Sequence, residues 1–168
     1  MLPTKPKIRA AKSEDEALSS LMRLCARAER SSGDALRLMK TWGVEPSVQE
    51  RVLKRLLAER FIDDKRYAEA FVREKTSLSA WGEYKIRAAL QRKGIARQII
   101  TDTLKNSSAV NSTERLEQKL RSKLRNIKYE SEYQLKGKLL RYAASLGYPM
   151  DDAMEAVERV ITFINDQD

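Results

Sequence analysis

The 168-residue sequence contains no histidine, and this absence excludes many kinds of catalytic site. Histidine is the commonest general base and transition-metal ligand, and it completes the Ser-His and Cys-His nucleophile pairs. Cys25 is the one cysteine, so an intrachain disulfide and an all-cysteine zinc site are excluded. The six glycines are scattered, and neither GxGxxG nor GxxxxGK[ST] occurs. Most familiar enzyme classes are therefore excluded, and we predict neither a cofactor nor a metal.

Long hydrophobic runs are also missing from the sequence. No stretch approaches the roughly 18 apolar residues of a membrane span. The basic N-terminus lacks the apolar segment that a secretory signal would need. We therefore predict a cytoplasmic protein that does not insert into a membrane.

Positive charge, in contrast, is abundant and unevenly placed. The chain has 33 Lys and Arg against 24 Asp and Glu, a formal net charge of +9. Residues 85–141 hold 15 basic and 5 acidic residues, whereas residues 142–168 hold one arginine and six acids. Such a basic surface is either simply solvated or an electrostatic track for a polyanion, of which nucleic acid is the usual one. The excess of positive charge is spread over several segments, which favours a binding surface for a polyanion over a surface that is simply solvated.

Apolar residues recur at helical spacing through most of the chain. The clearest stripes are Leu18, Leu21, Met22 and Cys25; Val48, Val52, Leu53, Leu56 and Leu57; and Leu116, Leu120, Leu124 and Ile127. No segment alternates apolar and polar residues over the length of a strand, and no Asn-Gly or Asp-Gly hairpin signal occurs. The pattern predicts an all-α fold.

Local signals predict where several helices begin. Three Ser-x-x-Glu/Gln segments are typical of N-terminal capping boxes: Ser13 with Glu16, Ser47 with Glu50, and Ser131 with Gln134. Asp63 and Asp64 are predicted to cap the helix that follows them, rather than to bind a metal. Asp151, Asp152 and Glu155 are likewise interpreted as the acidic first turn of a helix after Pro149.

Three glycines indicate an internal repeat. Gly43, Gly94 and Gly147 each follow an amphipathic run and are 51 and 53 residues apart, which is typical of helix ends in the left-handed conformation. The alternative is ordinary helices with coincidental glycine spacing. We predict a flexible basic arm at residues 1–12 and three tandem three-helix repeats at residues 13–62, 63–110 and 111–165. Because units this small bury little apolar surface alone, they are expected to pack in a row as an elongated, curved body.

The aromatic residues and the cysteine are interpreted first as packing residues. Trp42 and Trp81 lie near predicted turns, and Cys25 lies within an apolar stripe. Tyr129, Tyr133 and Tyr142 interleave with basic residues and are able to stack on bases. We expect each of them instead to be a packing residue or an aromatic on a helix surface.

One segment is similar to a known family. Residues 61–73, FIDDKRYAEAFVR, followed by residues 86–95, IRAALQRKGI, resemble the signature of the bacterial RecX family. The resemblance implies a small, basic, all-helical protein of three tandem three-helix repeats. It also implies a non-enzymatic regulator that binds the RecA–single-stranded-DNA filament and opposes its extension, its ATP hydrolysis and strand exchange. Arg87, Lys93 and Gly94 match the motif directly, and the resemblance supplies no catalytic residue.

The candidate binding residues are basic residues of the positively charged region. Arg121, Arg125 and Lys128 are expected to share one helix face, next to a row formed by Lys119 and Lys123. The full set predicted to contact RecA or DNA is Lys85, Arg87, Arg92, Lys93, Arg97, Lys119, Arg121, Lys123, Arg125, Lys128, Lys136 and Lys138.

The expected partners are the RecA filament and single-stranded DNA, with duplex DNA as a further candidate, bound by a monomer through phosphate contacts. Two alternatives remain open. One is a helix-turn-helix DNA-binding protein without RecA specificity. The other is a metal-dependent nuclease, which would need a carboxylate cluster such as Asp151, Asp152 and Glu155.

Overall fold

The computed structural model describes residues 10–166 of the chain, and within that range it contains nine α-helices and no strand. This confirms the predicted all-α class. The helices are α1 (Glu14–Arg27), α2 (Ser32–Thr41), α3 (Pro46–Ala58), α4 (Asp64–Ser79), α5 (Glu83–Arg92), α6 (Arg97–Lys105), α7 (Thr113–Leu124), α8 (Glu132–Ser145) and α9 (Met150–Asn165). None of these helices is both long and apolar enough to cross a bilayer.

The first of two compact units extends to Tyr67 and includes Lys93–Ile95. Its core forms where α1 and α2 pack on α3, and Leu21, Met39 and Leu56 are fully buried there. Leu57 was predicted to share the apolar stripe, but 42% of it is exposed. It follows Leu56 by about 100° around the helix, so it turns away from the core that Leu56 enters.

The second compact unit comprises Ala68–Arg92 and the chain from Ala96 onward. Its largest core lies among α7, α8 and α9, where Leu116, Leu120 and Leu139 are fully buried. The division cuts α4 after Tyr67 and does not follow the predicted repeats. The three repeats and their boundaries therefore stay predictions.

Residues 1–9 of the predicted basic arm lie outside the described residues. Lys12, at the end of that segment, is held against the first unit. Its backbone N–H donates to the carbonyl of Trp42 at 3.1 Å, and its Nζ lies 3.8 Å from the centroid of the Trp42 ring. A cation over an indole face is an attractive arrangement, so Lys12 and Trp42 hold this end of the segment in place.

The capping box at the start of α1 is confirmed. The backbone N–H of Ser13 donates to Glu16 Oε2 at 2.8 Å, and the N–H of Glu16 donates to Ser13 Oγ at 3.3 Å. Ser131 also caps its helix by accepting from the N–H of Gln134 at 3.2 Å. The Gln134 side chain, however, accepts from the N–H of Glu130 instead of completing a box with Ser131.

The capping box predicted at Ser47 and Glu50 is wrong. Helix α3 begins two residues earlier than that cap implies, at Pro46, with Glu45 as its N-cap and no side-chain cap. Proline suits the first helical position because its φ is already helical and its missing N–H would have no partner there. The proline therefore places Ser47 inside the helix.

Gly43, Gly94 and Gly147 end their helices as predicted, with φ values of 71°, 75° and 89°. Two other glycines, Gly33 and Gly82, are needed for a different reason. A Cβ on Gly33 would lie 2.2 Å from the carbonyl oxygen of Lys93, and one on Gly82 would lie 2.5 Å from that of Gly147. Glycine is needed at these two positions because the backbone of another segment lies too close for a side chain, and not because φ is unusual.

The two close approaches have the same form. In the first unit the N-terminus of α2 meets the loop after α5, and Ser31 Oγ donates to the carbonyl of Lys93 at 2.7 Å. In the second unit the N-terminus of α5 meets the loop after α8, and the Gly82 N–H donates to the carbonyl of Leu146 at 2.7 Å. In each case a glycine that ends one helix packs against a glycine at the start of another.

Candidate nucleic-acid interface

Lys85 and Arg87, which lie on α5, have partners within the protein. Lys85 is half-buried, and its Nζ lies 4.6 Å from the centroid of the Trp81 ring. Arg87 forms an ion pair with Glu83 at 2.7 Å, and its other nitrogen donates to Thr101 Oγ1 at 3.3 Å. Arg87 thus links α5 to α6, and the adjacent carboxylate offsets its charge.

Lys93 is also paired, in the first unit. Its Nζ lies 3.4 Å from Asp34 Oδ1, and Asp34 makes a second ion pair with Arg37. Partial burial acts to raise the pKa of Asp34, but the bonds from Arg37 and Lys93 outweigh it and hold that pKa below its usual range. The motif residue Lys93 is therefore tied to the packing of α2, whereas Arg92 and Arg97 are exposed.

Arg121 of α7 is half-buried. Its guanidinium lies 3.9 Å from the centroid of the Phe163 ring on α9 and 3.8 Å from Glu117. Arginine favours this stacked arrangement because its planar charge is weakly hydrated. Arg121 consequently contributes to the packing of α7 on α9.

The predicted row of Arg121, Arg125 and Lys128 on one helix face is wrong, because α7 ends at Leu124. Arg125 is the C-cap, and Lys128 follows in the loop. The N–H groups of Asn126 and Ile127 donate to carbonyls three residues earlier, at 3.0 and 3.1 Å, which tightens the chain and ends the helix.

The end of α7 nevertheless gathers positive charge beside α8. Lys138 Nζ donates to the carbonyl of Lys128 at 2.6 Å, and Lys123 Nζ lies 5.2 Å from the centroid of the Tyr142 ring. We name Lys123, Arg125, Lys128 and Lys138 the α7–α8 basic cluster. In residues 10–166 none of the four forms an ion pair with a carboxylate. Lys136 differs, because it pairs with Glu158 of α9.

Two tyrosines of the second unit project into solvent. Tyr133 is 88% exposed on α8, in agreement with an aromatic on a helix surface, whereas Tyr129 is 44% exposed in the loop before α8, where the prediction is wrong. Tyr142 is half-buried against the core of the second unit. The sequence showed these rings interleaved with lysines, but only the folded structure shows which of them are exposed.

Other candidate chemistry lacks support. Asp151 and Asp152 form the first turn of α9 after Pro149, as expected. Across the described residues, no group of three or more acidic or cysteine side chains is placed to hold a metal. Burial raises the pKa of the Cys25 thiol, so its reactive thiolate form is disfavoured.

A family model described as RecX, second three-helix domain, matches residues 63–104, which hold α4, α5 and α6. This segment of the chain therefore matches the RecX family. The matched segment contains the basic residues Lys85, Arg87, Arg92, Lys93 and Arg97. The α7–α8 basic cluster lies outside the match.

Curated RecX proteins are similar over much of the chain. A regulatory protein RecX of Mycobacterium sp. (strain KMS) is 28% identical over 148 residues, which cover 86% of this chain and 81% of the relative. The regulatory protein RecX of Clostridium botulinum (strain Eklund 17B / Type B) is 35% identical over 106 residues, which cover 61% of this chain and 49% of the relative.

Two solved RecX structures share the fold. The crystal structure of RecX from Lactobacillus salivarius has a TM-score of 0.78 at 16% identity and covers 89% of this chain and 97% of the other. A second crystal structure, of regulatory protein RecX, has a TM-score of 0.72 at 23% identity. The match covers 89% of this chain and 71% of the other. These likenesses support the helical fold of the RecX family for this chain.

Proposed function

We propose that this protein is a non-enzymatic regulator that inhibits the RecA recombinase. It binds the RecA–single-stranded-DNA filament as a monomer in the cytoplasm and opposes filament extension, ATP hydrolysis and strand exchange. The DNA-binding part of the proposal rests on the α7–α8 basic cluster, whose four cations lack carboxylate partners in the described residues. The exposed Tyr129 directly follows Lys128 in the chain. The match of residues 63–104 to the RecX family, and the similarity to curated RecX proteins, support the choice of RecA.

The cluster is suited to binding a polyanion without catalysing a reaction on it. Each phosphate that a lysine or arginine neutralises releases counterions, so several such contacts give salt-dependent affinity without base recognition. Exposed rings such as Tyr133 add stacking on unpaired bases, which is available in single strands. Contacts to DNA and to RecA made by one folded chain reinforce each other through avidity.

The twelve predicted binding residues are not expected to contribute equally. Arg87, Lys93, Arg121 and Lys136 each have a carboxylate partner, so binding a phosphate would require that pair to loosen. We assign the larger share of the DNA contacts to the α7–α8 basic cluster, together with Lys119 and the exposed Arg97.

A second candidate function is a helix-turn-helix DNA-binding protein without RecA specificity. The start of α6 favours it, because Arg97 and Gln98 are both exposed there, as base-reading residues of a recognition helix are. Gln98 donates to Asp102 at 2.9 Å, however, so its amide already has a partner on its own helix.

RecA ATP hydrolysis on single-stranded DNA tests the proposal. Substoichiometric protein added to preformed filaments of the source bacterium's RecA is expected to lower the rate, and electron microscopy is expected to show shorter filaments. If both quantities are unchanged while the protein binds naked DNA, the RecA assignment is wrong and the second candidate replaces it. A preference for one duplex sequence over others would support the second candidate further.

A further inference from the structure

A polar cavity lies between α7 and the part of α4 that belongs to the second compact unit. Thr76 and Ser77 line it from α4; Arg115, Gln118, Lys119 and Ser122 line it from α7. The four α7 residues are spaced i, i+3, i+4 and i+7, which places them on one helix face. That face differs from the one carrying Leu116 and Leu120 into the core. None of the lining residues is acidic.

Arg115 carries an uncompensated charge at this cavity. Its Nη1 is buried and has no hydrogen-bond partner within residues 10–166, and no carboxylate in that range forms an ion pair with it. Its neighbour Tyr148 offers no anion, because burial raises the pKa of that phenol to about 12 even though the charge of Arg115 acts in the opposite direction. A partly buried, unpaired guanidinium costs free energy, which a bound anion would offset.

The remaining donors suit an anion with several oxygens. Ser77 and Ser122 are exposed hydroxyl groups, and Lys119 adds a second positive charge. The Thr76 hydroxyl is already committed, since it donates to the carbonyl of Val72 at 2.8 Å. Two cations with two exposed hydroxyl groups form the donor set that phosphate oxygens prefer.

The position of the cavity indicates where such a phosphate would come from. Arg115, Lys119 and Lys123 succeed one another at four-residue intervals along α7, so they lie on neighbouring turns of the helix. Lys123 belongs to the α7–α8 basic cluster. A strand that contacts the cluster therefore has a continuous path along α7 to the cavity.

We propose that this cavity binds one backbone phosphate of single-stranded nucleic acid. Arg115 and Lys119 bind the phosphate charge, and Ser77 and Ser122 donate to its oxygens. The choice of a nucleic-acid strand rests on the proposed function, whereas the binding of a phosphate group rests on the cavity. Arg115, Ser77 and Ser122 are additions to the residues that the sequence analysis selected.

Fluorescence anisotropy of a labelled short oligothymidine with the full chain tests the inference. Lys119→Gln is expected to weaken binding about tenfold and to lower the log–log salt slope by about 0.7, the share of a single phosphate. Lys54→Gln is the matched control, because it removes the same charge from an exposed lysine on α3. Its affinity and slope are expected to equal those of the unaltered protein.

Two further variants extend the test, and the second of them keeps it independent of folding. Arg115→Gln is expected to weaken binding at least as much as Lys119→Gln, but Arg115 is partly buried and its replacement also affects packing. Ser122→Asp changes an exposed residue and places a negative charge at the cavity, so it is expected to weaken binding with an unchanged helical circular dichroism spectrum. Equal affinity of Ser122→Asp and the unaltered protein would overturn the inference.

Inorganic phosphate distinguishes the strand from a free anion. If the midpoint of thermal unfolding rises in phosphate relative to chloride of equal ionic strength, and Lys119→Gln abolishes the rise without changing oligothymidine affinity, the ligand is a free phosphate and the nucleic-acid assignment is overturned. A loss of oligothymidine affinity in Lys119→Gln with no specific phosphate effect supports the strand.

The outcomes also separate this inference from the proposed function. If Lys119→Gln and Lys54→Gln bind oligothymidine equally while the unaltered protein inhibits RecA, only the inference is overturned. If Lys119→Gln loses affinity but the unaltered protein leaves RecA ATP hydrolysis unchanged, the inference stands and the RecA proposal is wrong. If the unaltered protein binds no oligothymidine, the inference is overturned.

Discussion

Gly82 occupies a position where the backbone of another loop leaves no room for a side chain. A Cβ atom there would lie 2.5 Å from the Gly147 carbonyl oxygen and 2.7 Å from the Tyr148 nitrogen. Because neither backbone atom can rotate away, Gly82→Ala is expected to lower the free energy of unfolding by about 2 kcal/mol. Urea unfolding followed by circular dichroism measures this change.

Gly137 provides the matched control within the same unit. It lies inside α8, and the nearest atom to an added Cβ would be the flexible Arg141 Nη1 at 3.5 Å. Since alanine favours the helix interior over glycine, Gly137→Ala is expected to raise the free energy of unfolding by up to about 1 kcal/mol. If the free energy of unfolding changes by a similar amount and in the same direction in both variants, the close backbone approach at Gly82 does not affect stability.

Asp63 links stability to pH through a cap at the start of α4. Its Oδ1 accepts from the Arg66 backbone N–H at 3.0 Å, and its Oδ2 lies 3.4 Å from Arg60. The backbone hydrogen bond is the main reason why the pKa of Asp63 lies below its usual range. A lowered folded pKa means that the charged form stabilises the fold above the unfolded value of about 3.9, and that this stabilisation is lost as pH falls through the folded pKa.

Asp63→Asn tests this dependence, because it keeps a capping oxygen and removes the charge. The unaltered protein is expected to be the more stable of the two near neutral pH, and the difference is expected to shrink as pH falls below about 4. Urea unfolding at a series of pH values measures the difference. A constant difference across the series would contradict the assignment.

At the scale of the element, the end of α7 is where charge is expected to affect binding most. Arg125 and Lys128 are exposed and make no ion pair in the described range, so their replacement leaves the core untouched. The double variant Arg125→Glu with Lys128→Glu lowers the formal net charge from +9 to +5. We expect weaker oligothymidine binding and a salt slope lower by about 0.7 for each phosphate that the variant no longer neutralises.

A control with the same change of charge separates local from general effects. Arg23→Glu with Lys54→Glu also gives a net charge of +5, but both residues are exposed on helices of the first unit. If the two double variants lose affinity equally, binding responds to net charge and not to the α7–α8 basic cluster. Arg121 is left unchanged in this design because it packs on Phe163, so its replacement would alter stability as well as charge.

For the whole molecule, the proposed inhibition of RecA is expected to weaken with salt. Raising the ionic strength from about 0.1 M to about 1 M shortens the Debye length from about 10 Å to about 3 Å, which screens exposed charges such as those of the basic cluster. The protein concentration needed for half-inhibition of RecA ATP hydrolysis is therefore expected to rise. Each salt concentration is compared with RecA alone, because salt also acts on the filament.

The Arg125→Glu, Lys128→Glu variant completes that comparison. Because it neutralises fewer phosphates, it is expected to inhibit less at low salt and to respond less to added salt. An inhibition that salt does not change, in the unaltered protein and in the variant alike, would indicate that RecA supplies the affinity and that the basic cluster does not.

Local features of the chain were predictable from sequence because their causes lie within a few residues. Helical spacing predicted the all-α class, and the left-handed φ at Gly43, Gly94 and Gly147 followed from glycine's freedom at helix ends. The Ser13 capping box was predictable for the same reason. Where two local signals competed, as with Pro46 and Ser47, the serine pattern was misleading because the proline sets the helix start.

The similarity to the RecX family was also visible in the sequence, because the signature lies within residues 61–95, where the identities of neighbouring residues carry the information. The surface chemistry was less predictable. Charge counts identified the basic region. They did not identify the basic side chains that are neutralised by acidic ones, because Lys93 meets Asp34 and Lys136 meets Glu158 only after folding.

Tertiary structure decided the features that depend on residues far apart in the chain. Gly33 and Gly82 are required by backbone that arrives from the loops near Gly94 and Gly147, which no local pattern predicts. The cavity proposed to bind a phosphate exists because α7 presents one face to its own core and another to α4. Spacing along a helix tells which residues share a face, but only the packing of the chain decides what that face meets.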